Sequence, residues 1–256
     1  MSVTIYRTVS AKRGIGVRIP RSLCFYSPTQ VLSGLEFNHE VKNWLIFISN
    51  HYVPQKADVL LIYPCSAEKP YYKSRSYRQL YSTLERLGSR RKQIRIATIS
   101  EPFGLVPEEF YQKRAGGRDW ERSWYDCPGL FEWFCNKYDF EYSHKDLDRA
   151  IEILADYVGM FLKKVERRKS YKTILGVVRT YSSSLEQKED HTHRRILELA
   201  SEKSGVKVNL FPSRRLVGNL VTKRGSFAWD MYGVSHPIIQ ERLFRHLEAI
   251  IGTRAH

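Results

Sequence analysis

Pro64-Cys65-Ser66-Ala67-Glu68-Lys69-Pro70-Tyr71 sets a thiol four residues before an ammonium, directly after an apolar run. A cysteine at a strand end, near a cation and oriented backbone N–H groups, is a candidate nucleophile because both stabilise the thiolate. The bland alternative is a buried structural thiol, the commoner fate of a free cysteine. Cys24, Cys65, Cys127 and Cys135 form no Cys-x-x-Cys pair, which argues against a zinc ribbon. A disulfide scaffold is equally unexpected in a chain of 256 residues with only four cysteines. Cys127 and Cys135 read as core thiols. His191-x-His193 offers two imidazoles, but at that spacing they cannot share one face of a helix, so no metal site is expected.

The second chemical signal is charge. Forty-two Lys and Arg against 27 Asp and Glu give a net charge of +15. Such an excess attracts polyanions through screened attraction and counterion release. Tyr71, Tyr72, Tyr77, Tyr81, Trp120, Trp124 and Tyr125 are interleaved with basic runs, a mixture that suits phosphate contacts and base stacking. Lys73, Arg75 and Arg78 form one candidate nucleic-acid-binding group; Arg214, Arg215, Lys223 and Arg224 form another. The alternative is a solvated basic surface.

These groups need a frame. Val59–Tyr63, Ile94–Ile99, Ile174–Val178 and Val206–Leu210 are short apolar runs. Three of them are nearly continuous, as in strands buried on both faces. Helical spacing recurs over 40–50, 74–88, 147–165, 190–203 and 237–251. The alternation predicts an α/β three-layer sandwich with a mainly parallel four-stranded central sheet. Ligands in such folds bind beyond the carboxyl ends of the strands, which directs attention to the loops after 63, 99 and 210. Residues 1–50 are expected to be an N-terminal extension packed on a core domain of residues 51–256, with Ile15–Pro20 as a short strand. Mean hydropathy is −0.44 and no apolar run approaches the roughly 18 residues of a membrane span. The first residues lack a signal-peptide core, so a cytoplasmic location is expected.

The thiol segment resembles a Pro-Cys-x3-Lys-Pro-Tyr-x2-Ser-x2-His signature of the archaeosine synthase family. Pro64, Cys65, Lys69, Pro70, Tyr71 and Ser74 match in register, and Tyr77 stands where the signature has His. Ser100-Glu101-Pro102-Phe103-Gly104-Leu105-Val106-Pro107 and Tyr125-Asp126-Cys127-Pro128 resemble two further stretches of that family in the same order. The resemblance implies chemistry on the nitrile of 7-cyano-7-deazaguanine held in nucleic acid. The expected sheet pattern is similar to that of uracil-DNA-glycosylase-like folds. Within the family the chain looks most like a short stand-alone relative that converts the cyano base in DNA to the 7-amido base, as part of restriction-modification systems. The alternative is lysine or amine transfer to the same base in tRNA. A third reading, from another class, is a non-catalytic nucleic-acid-binding module.

On that resemblance the Cys65 thiolate attacks the nitrile carbon to give a thioimidate. Lys69 is expected to stabilise the thiolate or protonate the imide nitrogen. Asp126 or Glu101 is expected to activate water as general base. Ser66, Tyr71, Ser74, Tyr77 and Phe103 are the expected substrate contacts, Phe103 by stacking on an extruded base. The chemistry calls for no redox cofactor, no ATP and no metal. The expected partners are DNA, or alternatively tRNA, and a transglycosylase that inserts the base.

Overall fold

A computed structural model describes residues 19–111, 124–127, 141–180 and 191–252. Five strands form its sheet: β1 (Ala57–Pro64), β2 (Ile94–Ser100), β3 (Gly104–Pro107), β4 (Tyr171–Val177) and β5 (Asn209–Phe211). Their order is β3-β2-β1-β4-β5. β1 lies at the centre, parallel to β2 through Val59↔Ile94 and to β4 through Val59↔Thr173. Val59 to Tyr63 are all buried, as expected of a strand covered on both faces.

The expectation of four strands is corrected to five. The extra strand, β3, folds back antiparallel on β2, with Ser100 opposite Gly104 and Ala97 opposite Pro107. Glu101, Pro102 and Phe103 make the turn, and Gly104 leaves it at φ +61°. A Cβ on Gly104 would also lie 3.2 Å from Leu45 Cδ2, so glycine serves both the turn and the packing. Four residues between a turn and a proline carry too little alternation to register as a strand.

Helices cover both faces. On one side lie α3 (Arg75–Glu85) and the last helix, α8 (Pro237–Gly252). Thr83 Oγ1 donates to Gln240 Oε1 at 2.8 Å, and Gln240 Nε2 donates to Tyr63 Oη of β1 at 3.3 Å. On the other side lie α4 (His144–Arg167) and α5 (Thr192–Ser204). α1 (Pro28–Phe37) and α2 (His39–Ile46) join the same hydrophobic core, α2 running on into a π-turn at Phe47–His51. Trp44 Nε1 donates to Phe103 O at 3.0 Å, and Lys164 of α4 donates to Ile48 O at 2.6 Å. α6 (Arg214–Arg224) and α7 (Ser226–Tyr232) follow β5.

The helical expectations over 40–50, 74–88, 147–165, 190–203 and 237–251 correspond to α2 with its π-turn, α3, α4, α5 and α8. The last predicted strand is narrower than its apolar pattern and begins at Asn209. Residues 15–18 of the predicted first strand lie outside the described residues, as do Trp120, Pro128 and Cys135; Ile19 and Pro20 are not in a strand. No helix among the described residues is long and apolar enough to cross a membrane.

Candidate active site

The chain leaves β1 to one side to form β2 and returns to the other side to form β4. This makes the carboxyl end of β1 the switch point of the sheet, where α/β folds open a crevice. Cys65 sits there, its N–H donating to Ile99 O of β2 at 3.0 Å. Glu101 follows the last residue of β2. His193 is the second residue of α5, the first described helix after β4. Three chain segments therefore meet at one point. His193 Nε2 lies 3.1 Å from Glu101 Oε2 and 3.7 Å from Cys65 Sγ, and Sγ lies 4.0 Å from Glu101 Oε2.

Glu101 is 1% exposed and His193 3%, whereas Cys65 is only partly buried. The thiol is thus the member of the trio that a ligand can reach. Burial by itself raises a carboxyl pKa and lowers that of an imidazole. In Glu101 the first effect is outweighed by the His193 charge and hydrogen bond, and its pKa falls below 4.5. In His193 burial is outweighed by the Glu101 charge and the Cys65 sulfur, and its pKa rises well above 6.5. Both directions describe a carboxylate–imidazolium pair beside a thiol. The three donor atoms also meet the spatial requirement for ligating one metal ion.

Local sequence explains how His193 arrives. His191 is the N-cap of α5, with extended backbone (φ −57°, ψ 144°), so the two histidines are not successive helical residues. Their rings lie 5.1 Å apart. The helical-face argument does not apply to such a pair. α5 also approaches β4 closely over Gly176, where an added Cβ would lie 2.8 Å from Leu197 Cδ1. Leu197 is one helical turn beyond His193, so this contact sets the depth of the imidazole. Gly205 ends α5 in the left-handed conformation (φ 70°).

The residues expected from sequence divide into groups. Cys65 and Glu101 come together. Lys69 instead directs its ammonium to Ser66 O at 3.1 Å and to Cys127 O, over the rings of Tyr71 and Tyr125. It ties the loop after β1 to the 124–127 segment, and no hydrogen bond or ion pair joins it to Cys65. Asp126 accepts from Tyr26 Oη at 3.0 Å, and its backbone bridges Cys24. Of the two candidate bases, Glu101 is the one at the thiol.

Tyr71, Tyr77 and Phe103 are fully enclosed rather than open to a substrate. Tyr71 donates to Ser100 Oγ at 3.1 Å and touches Tyr125 Oη. Tyr77 points into the core, where its hydroxyl meets Thr98 and its ring stacks on Tyr71 at 5.2 Å. Phe103 packs between Phe25, Trp124 and Tyr125. In this structure the Phe103 ring packs in the core, with no face open to an extruded base. Ser74 caps α3 by accepting from Tyr77 N at 3.3 Å, and Ser66 Oγ donates to Glu68 O at 2.8 Å. The member of the trio that sequence reading did not place at the thiol is His193. The available signal was the gap left by Tyr77 in the signature together with an otherwise unexplained His-x-His.

Lys73, Arg75, Arg78, Arg214, Arg215, Lys223 and Arg224 are all exposed. Lys73 and Arg75 follow the Cys65 loop, with Arg75 over the Tyr232 ring at 4.9 Å. Arg214 and Arg215 open α6 just past the carboxyl end of β5, on the side of the sheet where Cys65 lies. Lys223 and Arg224 close the same helix, about 14 Å farther along its axis at 1.5 Å per residue.

Residues 41–119 match the family model described as a domain of unknown function, DUF5591. That stretch holds Cys65, Lys69 and Glu101 but not His193. The named relatives are more specific. Archaeosine synthase subunit alpha of Thermoplasma acidophilum is 36% identical over 91 residues, 34% of this chain and 16% of that protein. Its counterpart from Thermococcus kodakarensis is 40% identical over 74 residues, 28% of this chain and 13% of that one. The Methanosarcina acetivorans protein is 39% identical over 70 residues, 27% and 11% respectively. The similarity is to archaeosine synthase subunit alpha. The archaeosine-synthase-like segment spans about a third of this chain and under a fifth of each relative. The crystal structure of AF0587, a protein of unknown function, overlays with a TM-score of 0.44 at 16% identity, covering 80% of this chain and 49% of that one. A likeness that loose carries no argument.

Proposed function

We propose that the protein is an enzyme that attacks the nitrile of a 7-cyano-7-deazaguanine residue in nucleic acid with the Cys65 thiol. The observation that carries the reading is the meeting of Cys65 Sγ with the buried His193–Glu101 pair, at 3.7 and 4.0 Å. Two of these three residues lie in the stretch matched by the family model.

A nitrile carbon becomes reactive when its nitrogen is protonated as the nucleophile adds. With the thiol proton released to solvent, the thiolate sulfur forms a bond to carbon, one π bond of the C≡N group breaks, and its electron pair goes to nitrogen. The imidazolium of His193 delivers the proton, and the product is a thioimidate. Glu101 keeps His193 charged and oriented; it acts through the imidazole and is a positioning residue. In the second step an amine adds to the thioimidate carbon, sulfur departs and takes a proton, and an amidine remains. With water in place of the amine, the same collapse yields an amide.

The similarity to archaeosine synthase subunit alpha favours tRNA as the polymer and an amine as acceptor over DNA and water. Exposed Lys73, Arg75, Arg214 and Arg215 lie toward the carboxyl ends of the strands, a placement suited to holding the phosphates on either side of the modified nucleotide. The test is nucleoside mass spectrometry after incubation with tRNA carrying the cyano base, with and without lysine, and with DNA carrying the same base. A lysine adduct on tRNA that disappears in Cys65→Ser supports the proposal as stated. A gain of one water on DNA, equally dependent on Cys65, keeps the thioimidate and moves polymer and acceptor to the DNA reading. No change on either polymer overturns the proposal.

A further inference from the structure

We propose that Cys65, Glu101 and His193 also form an exchangeable site for a single Zn2+ ion, whose occupancy withdraws the thiol from reaction. The inference goes beyond the nitrile reading and needs only the arrangement of the three side chains.

Geometry is the first support. Zinc bonds of about 2.0 to 2.3 Å to oxygen, nitrogen and sulfur in a tetrahedron require ligand atoms roughly 3.3 to 3.6 Å apart. The three separations here are 3.1, 3.7 and 4.0 Å. Seating an ion therefore asks each pair to move by only about half an ångström or less. Thiolate, imidazole and carboxylate together match a borderline-soft divalent ion, whereas Mg2+ and Ca2+ take all-oxygen shells. A thiolate and a carboxylate also neutralise the two charges of the ion, which makes burial of the centre affordable.

The second support is a buried polar atom without a use. Glu101 Oε2 faces both partners, but Glu101 Oε1 is buried with no hydrogen-bond partner. A hydrogen-bonded thiol–imidazole–carboxylate relay leaves that oxygen idle, at the desolvation cost of an unmet acceptor. A carboxylate that grips a cation through both oxygens uses it. His193 Nδ1 likewise has no partner, so the second bond that usually stiffens a ligating imidazole is missing. A site with three protein ligands and no such brace suits an ion that comes and goes. The partly exposed Cys65 side leaves room for a water as a further ligand.

The experiment uses the whole chain and Zn2+ alone. Protein stripped with a chelator is alkylated with iodoacetamide, with and without one equivalent of Zn2+, and each cysteine is followed by peptide mapping. Zinc is expected to slow Cys65 alkylation at least tenfold, a chelator to restore it, and Cys24 alkylation to remain unchanged. Co2+ is expected to give a thiolate charge-transfer absorption that Cys65→Ser abolishes. Glu101→Gln, whatever its own zinc-free rate, is expected to be alkylated equally fast with and without zinc. Equal Cys65 alkylation rates with and without zinc overturn the inference, as does protection shared equally with Cys24. None of these readouts involves turnover, so failure of the nitrile chemistry leaves the zinc result standing, and the reverse also holds.

Discussion

Glu101→Gln keeps the shape of the side chain and removes its charge. In the wild type the carboxylate stands 3.1 Å from the imidazole, with both groups buried. Removing one member of a buried pair while the other stays charged costs about 3–5 kcal/mol. His193 has an escape, because losing its proton leaves a neutral ring instead of an unpaired buried charge. The loss is then nearer that of one charge-assisted hydrogen bond, about 1.5–3 kcal/mol. The expected destabilisation in chelator-treated protein near neutral pH is therefore about 2 kcal/mol. The pH dependence follows from the direction of the Glu101 shift. Its carboxyl is held below 4.5 in the folded state, so its stabilisation is present above 4.5 and drains away as pH falls through the folded value. Urea unfolding of both proteins from neutral to acid pH reads this directly. The two stability curves should separate at neutral pH and converge in acid. A neutral-pH difference under about 0.5 kcal/mol, the scatter of a surface substitution, would refute the buried pair. So would a gap that persists unchanged in acid.

Three further outcomes are expected. Gly176→Ala should push α5 outward through Leu197 and crowd Leu210 of β5, at an overpacking cost of about 1–3 kcal/mol; Cys65-dependent turnover should fall by a larger factor than fluorescence-monitored stability alone explains, and unchanged turnover would separate His193 from the chemistry. Lys164, buried under Ile48, has its pKa lowered by burial from 10.5 to about 8. The folded state therefore gives up this proton first, and stability should rise as pH climbs from about 8 toward 10.5. Lys164→Met should flatten that rise between pH 8 and pH 9.5 in denaturant titrations, and an unaltered slope would contradict the assignment. Arg214→Ala with Arg215→Ala should reduce the slope of log affinity against log salt by roughly 1.4 for a single strand, two phosphate contacts at about 0.7 each. Binding isotherms at several salt concentrations measure it, and an unchanged slope would remove these arginines from the interface.

Much of the frame was legible because burial leaves a one-dimensional trace. The continuous apolar run at 59–63 and the 3.6-residue pattern of α4 follow from local rules, and strand-end logic led to Cys65 and Glu101. β3 was not legible, since a four-residue strand made by a reversal has no period to detect. The burial of Tyr77 and Phe103 was not legible for a related reason. Aromatic rings in a segment that resembles a family signature suit a pocket and a core equally, and only the fold shows that both are enclosed. His193 was missed because its partners are 92 and 128 residues away in sequence. Its approach depends on a helix cap at His191 and on the missing side chain of Gly176, and neither is visible in a spacing rule. Lys69 shows the converse limit: closeness in sequence suggested a thiolate partner, while in the fold its ammonium turns to the carbonyls of Ser66 and Cys127.

The central claim is that Cys65 bonds to a nitrile carbon. Intact-protein mass spectrometry after mixing with RNA carrying 7-cyano-7-deazaguanine, followed by nuclease digestion, tests it most directly. Addition of a thiol to a nitrile expels nothing, so the predicted adduct has the summed mass of protein and modified nucleotide. Peptide mapping should place it on Cys65, and Cys65→Ser should abolish it while Cys24→Ser leaves it intact. Protein whose Cys65 is readily alkylated by iodoacetamide but forms no adduct with the nitrile would contradict the account.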